Sequence, residues 1–197
     1  MRRRSILVLT FTLLSVPASL AQTINVTTAD GGSVVTELGY GTGIKVNKNS
    51  SLRRSFVTFN DPACPVQLNS SGVTTQYDGL NRSYYYRPLG TLTSNEPVSA
   101  IDVRFLLYDV FGDHIRTLGA TYVGDIATND AFQLGDIGSW RAWENEVREL
   151  YTIVSFVARV RTQSGKIWRY NEKVIGEELN KVRLKVSSGV LEPSKEK

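Results

Sequence analysis

The stretch Val98-Ser99-Ala100-Ile101-Asp102-Val103-Arg104-Phe105-Leu106-Leu107-Tyr108-Asp109-Val110 sets the pattern for the whole chain. Ile101, Val103, Phe105 and Leu107 recur at period two, which places them on one face of an extended segment because successive side chains of a strand point to opposite sides. Asp102 and Arg104 begin the opposite face and Leu106 and Tyr108 finish it. One face is therefore core, and the other turns apolar toward its end. Phe111-Gly112-Asp113 follows as a turn, with glycine and aspartate where a positive φ is needed. Residues 114–123 form the return strand, so a hairpin is predicted.

Working outward, residues 150–160 are apolar at almost every position, as expected of a central strand covered on both sides. Gln163-Ser164-Gly165 is a hairpin turn, and residues 166–170 are the partner strand. Between the two hairpins, residues 124–145 read as irregular. Upstream, order begins near Ser55: Phe56-Val57-Thr58-Phe59 is a β-prone run stopped by Asn60-Asp61-Pro62. Residues 64–68 and 73–77 read as two short strands joined by a turn at Asn69-Ser70-Ser71-Gly72. Residues 82–87 form a further strand, interrupted at Pro88 and resuming over 89–93 with the proline at an edge or bulge. From Glu177 the spacing fits either helix (Leu179, Val182, Val186) or strand (Val182, Leu184, Val186). Seven or more short strands, with turns roughly every ten residues and no long amphipathic helix, predict an all-β sandwich. A segment of about 120 residues suffices for one such core without a disulfide.

Phe105-Leu106-Leu107-Tyr108-Asp109 matches the F-x-L-Y-D pattern of the FxLYD domain letter for letter, and residues 157–161 with 164–168 look like the closing hairpin of such domains. The resemblance spans about residues 80–172. It implies an immunoglobulin-like antiparallel β-sandwich of the kind found in exported prokaryotic proteins, with no catalytic residues to carry over. The expected organisation is a leader at 1–21, a flexible Gly/Ser/Asn-rich segment at 22–51, the sandwich at 52–175, and a C-terminal segment at 176–197 forming a short helix or strand.

The leader reads as a secretory signal peptide. Arg2-Arg3-Arg4 precedes an apolar run at residues 5–14 that is too short to span a bilayer core of about 30 Å. Pro17 and the small residues Ser19 and Ala21 then mark cleavage before Gln22. An uncleaved anchor fits the short run less well, and Arg3-Arg4-Ser5-Ile6-Leu7 carries only part of a twin-arginine signal. Cleavage removes three of the 23 basic side chains and none of the 19 acidic ones, so the formal charge falls from +4 to about +1. A nucleic-acid partner loses its support, because affinity for phosphate backbones needs clustered excess Lys and Arg.

Few side chains can carry chemistry. Cys64 is the one cysteine, so no intrachain disulfide forms; it is a buried small residue, an intermolecular disulfide partner or a reactive thiol. His114 is the one histidine and follows Gly112-Asp113 at a turn, a usual place for an exposed side chain without a role. A single imidazole and a single thiol are poor material for zinc, and no calcium-loop spacing is present. Gly39-Tyr40-Gly41-Thr42-Gly43 lacks the Lys-Ser/Thr that completes a phosphate-binding loop. Glu144 and Glu146 are two carboxylates in one polar turn, where a glycosidase would need its pair about 5–9 Å apart across a cleft. Sequons stand at Asn25, Asn49, Asn69 and Asn81, and matter only in a eukaryotic secretory pathway.

Aromatic residues are the remaining signal. Trp140, Trp143, Tyr84 and Tyr86 form the candidate binding surface if exposed, since Trp and Tyr stack on sugar rings and anchor protein contacts; otherwise Trp140 and Trp143 close one end of the sandwich and Trp168 is core. The expected function is a periplasmic or secreted, non-catalytic module that binds another protein or an envelope component. It needs no cofactor, and the mature chain has no membrane-spanning helix. A carbohydrate-binding module or hydrolase of the cell envelope is the alternative, and a purely structural tethered domain a third. N-terminal sequencing of the protein recovered from its host should begin at Gln22; a chain still beginning at Met1 overturns the cleaved leader.

Overall fold

The computed structural model describes residues 23–29, 54–186 and 189–194. In chain order the elements are β1 (Thr23–Ala29), β2 (Arg54–Asn60), β3 (Val66–Asp78), β4 (Ser83–Ser94), β5 (Val98–Tyr108), β6 (His114–Ile126), β7 (Ala131–Gln133), a 3-10 turn (Leu134–Ile137), β8 (Trp140–Ala142), α1 (Glu144–Glu149), β9 (Thr152–Thr162), β10 (Ile167–Arg169) and α2 (Glu172–Lys181). They build a two-sheet sandwich. The larger sheet has the order β1-β2-β9-β5-β6 with β10 beside β9, and the smaller pairs β3 with β4, which also carries β7 and β8. The predicted all-β sandwich is present, as are the β5–β6 and β9–β10 hairpins. Pairing is antiparallel except between β2 and β9, which run parallel over Ser55–Phe59 and Thr152–Phe156.

The chain passes from one sheet to the other at Asn60-Asp61-Pro62. The buried Asn60 amide donates to the Leu68 carbonyl and accepts the Leu68 N–H, both at 2.9 Å, so a side chain takes the place of a strand partner at this corner. Asp61 Oδ1 accepts the Ala63 N–H at 2.8 Å and closes the turn.

Beyond the corner, two expectations are corrected. Asn69-Ser70-Ser71-Gly72 is not a turn: β3 runs through it, with a bulge between Leu68 and Ser70. The small residues have a packing reason, because a Cβ at Gly72 would lie 2.7 Å from the Phe56 ring. Opposite the bulge, Gly90 has φ +120°, and a Cβ there would fall 2.1 Å from the Ser70 carbonyl oxygen. Pro88 likewise does not interrupt β4. It pairs with Val73 between the segments that bind β8 (residues 84–86) and β7 (residues 91–93), so no strand ladder on that second side needs its missing N–H.

Alternation sorts β5 between two cores. Ile101, Val103, Phe105 and Leu107 face the smaller sheet and meet Val66, Leu68, Val73, Tyr86 and Leu92. Leu106 and Tyr108 face outward with Val57, Phe59, Val154 and Phe156, and are covered by Ile175, Leu179, Leu184 and Val190. Each such side chain fully buried contributes on the order of 1.5–3 kcal/mol relative to exposure. The apolar end of the outward face therefore has its own cover.

That cover moves the expected boundary at 175/176. α2 crosses it, begun by Asn171, whose side chain accepts the Lys173 N–H at 3.1 Å. Ile175 and Leu179 are one turn apart and point at the sheet. The helix ends where Arg183 adopts φ +61° and the Leu184 N–H returns to the Leu179 carbonyl at 3.0 Å. The tail is then tied to the β5–β6 hairpin: Lys185 N–H donates to the Gly112 carbonyl at 3.0 Å, and Ser194 exchanges two bonds with the Thr117 backbone at 2.9 and 3.0 Å. Residues 176–194, so far as they are described, belong to the sandwich body.

In the segment expected to be a flexible leader, Thr23–Ala29 is an edge strand paired antiparallel with β2 from Thr23↔Asn60 to Ala29↔Arg54. The rest of 22–51, and the expected signal peptide at 1–21, lie outside the described residues.

Leu179→Ala should lower unfolding free energy in urea by about 2–5 kcal/mol, as for other buried leucines. Leu80→Ala, at a side chain 96% exposed, should change it by no more than about 0.5 kcal/mol. Equal, small effects would show that the outward cluster is not a core.

Candidate functional site

Three of the four aromatic residues singled out in the sequence, Tyr84, Tyr86 and Trp140, share one strand ladder, and Trp143 directly follows it. In the β4–β8 ladder Tyr84 pairs with Ala142, Tyr85 with Arg141 and Tyr86 with Trp140, so all lie on one patch of the smaller sheet. Parity then separates them. Tyr86 is completely buried in the inter-sheet core and forms no part of a surface. Its hydroxyl has no hydrogen-bond partner among the described residues, and burial drives its pKa up. Trp140 packs against the same core with its ring 6.1 Å from that of Phe105. Tyr84 is half-buried, 4.8 Å from the Tyr77 ring. Trp143, 52% exposed, remains on the surface with the Arg141 guanidinium 5.9 Å over its ring.

Turning Tyr84 and Tyr86 inward necessarily turns Tyr85 outward, and this is the residue the sequence reading missed. Tyr85 stands opposite Gln76 on β3 and Arg141 on β8, with Arg87 two residues along and opposite Thr74. Gln76, Tyr85 and Arg87, of outward parity, together with Tyr77, Asp78 and Leu80 line an open groove of about 500 Å³ at the β3–β4 turn of the smaller sheet. The β3–β4 turn holds one end of it. Asp78 accepts hydrogen bonds from the Leu80 N–H at 3.0 Å and the Asn81 amide at 2.6 Å, and the Asn81 bonds above all hold its carboxyl below the ordinary value. Arg82 completes the turn at φ +49°. With Asp78 engaged in the turn, Arg87 makes no ion pair among the described residues. The groove thus offers the Tyr77 and Tyr85 rings, the Arg87 guanidinium and the exposed Leu80 side chain.

The other candidates are occupied elsewhere. Cys64 is 2% exposed, its Sγ accepts the Val66 N–H at 3.4 Å, and burial pushes the thiol up to about 12, which fits the buried small residue. Glu144 pairs with Arg148 one turn on, while Glu146 accepts the Trp143 N–H at 3.3 Å and lies 3.6 Å from Arg116. These two carboxylates order α1 and its surroundings. Among the described residues no group of three or more His, Cys, Asp or Glu is placed to hold a metal ion. No helix among them is long and apolar enough to cross a membrane.

His114 is half-buried, not exposed as its turn position implied. Its Nε2 lies 2.8 Å from Thr117 Oγ1, which in turn donates to the Val190 carbonyl of the tail, and its ring meets Tyr108 edge-on at 5.5 Å. Desolvation by burial is the main cause of a pKa below the usual 6.5.

No model of a known protein family matches the chain, and no curated protein matches it. Among solved structures, a hypothetical protein from Peptoclostridium difficile 630 aligns with 13% identity and a TM-score of 0.37, over 67% of this chain and 98% of its own.

A lowered histidine pKa means the unfolded chain takes up a proton before the folded one does. The contribution of His114 is therefore complete above about pH 6.5 and is lost as the pH falls from there through the folded value. Because the chain has one histidine, unfolding free energy should drop between pH 7.5 and 5.5, and His114→Gln should flatten that drop. An identical pH slope in the variant would show that the imidazole is not desolvated.

Proposed function

We propose that this chain is an exported, non-catalytic β-sandwich protein, periplasmic or secreted, that binds another protein or an envelope component through the outer groove of its smaller sheet. The observation that carries the reading is the composition of that groove and its border. Tyr85, Arg87 and Arg141 sit on hydrogen-bonded strands, with Trp143 just past the end of β8 against Arg141 and a Leu80 side chain 96% exposed nearby. Tyr, Trp and Arg dominate the energetics of protein interfaces, because each presents a large contact area together with a polar end. Mounting them on a sheet lowers the ordering cost that a loop would incur on binding. The basic start and short apolar run of residues 1–14, and the likeness of Phe105–Asp109 to a pattern found in exported prokaryotic proteins, support the location.

The carbohydrate alternative asks for an open aromatic face. One face of Trp143 is shared with the Arg141 guanidinium, which competes with a stacking sugar and favours the protein reading. A photoreactive benzoylphenylalanine at position 85 of the full chain, expressed in its host, should give a discrete protein adduct from the envelope fraction. Arg87→Glu with Trp143→Ala should abolish that adduct while leaving the melting temperature unchanged. No adduct, one that survives both substitutions, or one that resists protease and yields sugar would overturn the proposal.

A further inference from the structure

The larger sheet has a second, independent surface. α2 and the tail cover its outward face over Leu106, Tyr108, Val154 and Phe156, but two cross-strand rows lie beyond that cover. One reads Thr121–Asp102–Arg159–Arg169 and the next Val123–Ala100–Arg161–Ile167, each residue directly opposite its neighbour across β6, β5, β9 and β10. Directly paired residues of an antiparallel ladder share a face, so three arginines project from the same side.

A register shift between β5 and β9 creates this arrangement. Val103 pairs with Val157 and Asp102 with Arg159, which leaves Ala158 as the extra residue of a bulge and swings Arg159 toward Asp102. Asp102 is 3% exposed and accepts from Arg159 Nε at 2.7 Å as well as from Arg104. One carboxylate thus faces two guanidiniums, while Arg161 and Arg169 make no ion pair among the described residues. The remaining acids of this region, Glu172 and Glu192, line an adjoining hollow beneath α2 that shares only Arg159 and Arg169 with this one.

The hollow on the uncovered side is about 170 Å³, bordered by Asp102, Arg159, Arg161 and Arg169 and by the apolar Ala100 and Ile167. Three guanidiniums against one carboxylate leave a local excess of positive charge in this hollow. Ile167 is 53% exposed, and Val123, at the far end of the same row, 79%. Arginine presents a planar fork that matches the oxygens of carboxylates and phosphates. Apolar side chains at its border favour a ligand that also buries hydrocarbon.

We propose that this hollow binds an amphiphilic anion, its carboxylate or phosphate head held by Arg161 and Arg169 beside the fixed Arg159, and its chain lying over Ala100 and Ile167. The buried Asp102 is the positioning residue: it holds Arg159 in place, and among the described residues it engages neither Arg161 nor Arg169. A nucleic-acid backbone is disfavoured, because the basic residues form one compact spot and no stripe continues from it.

Isothermal titration of the mature chain with decyl phosphate and with decanoate, below their micellar concentrations, tests this. At least one should bind saturably with unit stoichiometry, and at least about tenfold more tightly than inorganic phosphate or a decyl glycoside. Arg161→Gln and Arg169→Gln should each weaken binding about tenfold, the value of roughly 1.4 kcal/mol, with no change in melting temperature because both side chains are exposed. Ile167→Asp should weaken the alkyl ligands and leave inorganic phosphate little affected. Binding to phosphatidylglycerol vesicles but not phosphatidylcholine, lost in the Arg161/Arg169 double variant, would place the anion in a lipid headgroup; binding of the free amphiphiles alone would place it in a soluble ligand. Absence of saturable binding to every probe, equal binding of the neutral glycoside, or undiminished binding by the double variant would each overturn the proposal.

Discussion

Burial of the larger sheet on both faces is the constraint from which the rest of this molecule follows. β5 and β9 run side by side at its centre, and their side chains are buried in both directions along most of their length. A strand so placed must be apolar on both faces or must pair its charges. Leu106 and Tyr108 meet the first condition, and Asp102 with Arg104 the second. The outward face then needs a cover. The C-terminal helix and tail supply it, so they cannot be an appendage, and the sandwich carries a third, helical layer on one side only.

Where that layer stops, the surface begins. α2 and the tail leave the Arg159–Arg161 end of the larger sheet open, and an open groove lies on the smaller sheet, whose inner face meets the inter-sheet core. The two candidate surfaces therefore differ in chemistry for a structural reason. The groove over β3 and β4 is bounded by a turn and by Tyr85 of outward parity, whereas the hollow over β9 and β10 arises from a bulge that concentrates arginine around a single buried aspartate.

Much of the fold was legible because strand alternation is a local property. Ile101, Val103, Phe105 and Leu107 announce their strand without reference to any other part of the chain, and Gly112 and Gly165 mark the two hairpin turns with φ +76° and +89°. The errors fell where local chemistry and tertiary packing disagree. Asn69-Ser70-Ser71-Gly72 has the composition of a turn, yet it is a bulged strand because the Phe56 ring occupies the space a larger residue at position 72 would need. Tyr84, Tyr85 and Tyr86 are the same residue to any reading of composition. The β4 ladder turns the middle one outward and sends the last to the core, which takes Tyr86 out of the expected surface and brings Tyr85 into the groove. His114 looked exposed because the tail that half-covers it lies more than 70 residues away in the chain.

By itself, then, the sequence determined the period-two pattern, the hairpin turns and the all-β class, and it set the near-neutral charge expected once the leader is removed. Each of these rests on interactions among residues close in the chain. Only the tertiary structure decided which face of each strand meets another layer, that α2 and the described residues of the tail cover the larger sheet, and which of several identical aromatic or basic side chains reach solvent. Those outcomes depend on register and on contacts between segments 50 to 80 residues apart, such as Asp102 with Arg159 and Thr117 with Ser194. No local pattern encodes them, because a shift of one residue in pairing exchanges the buried and exposed sets while leaving the composition unchanged.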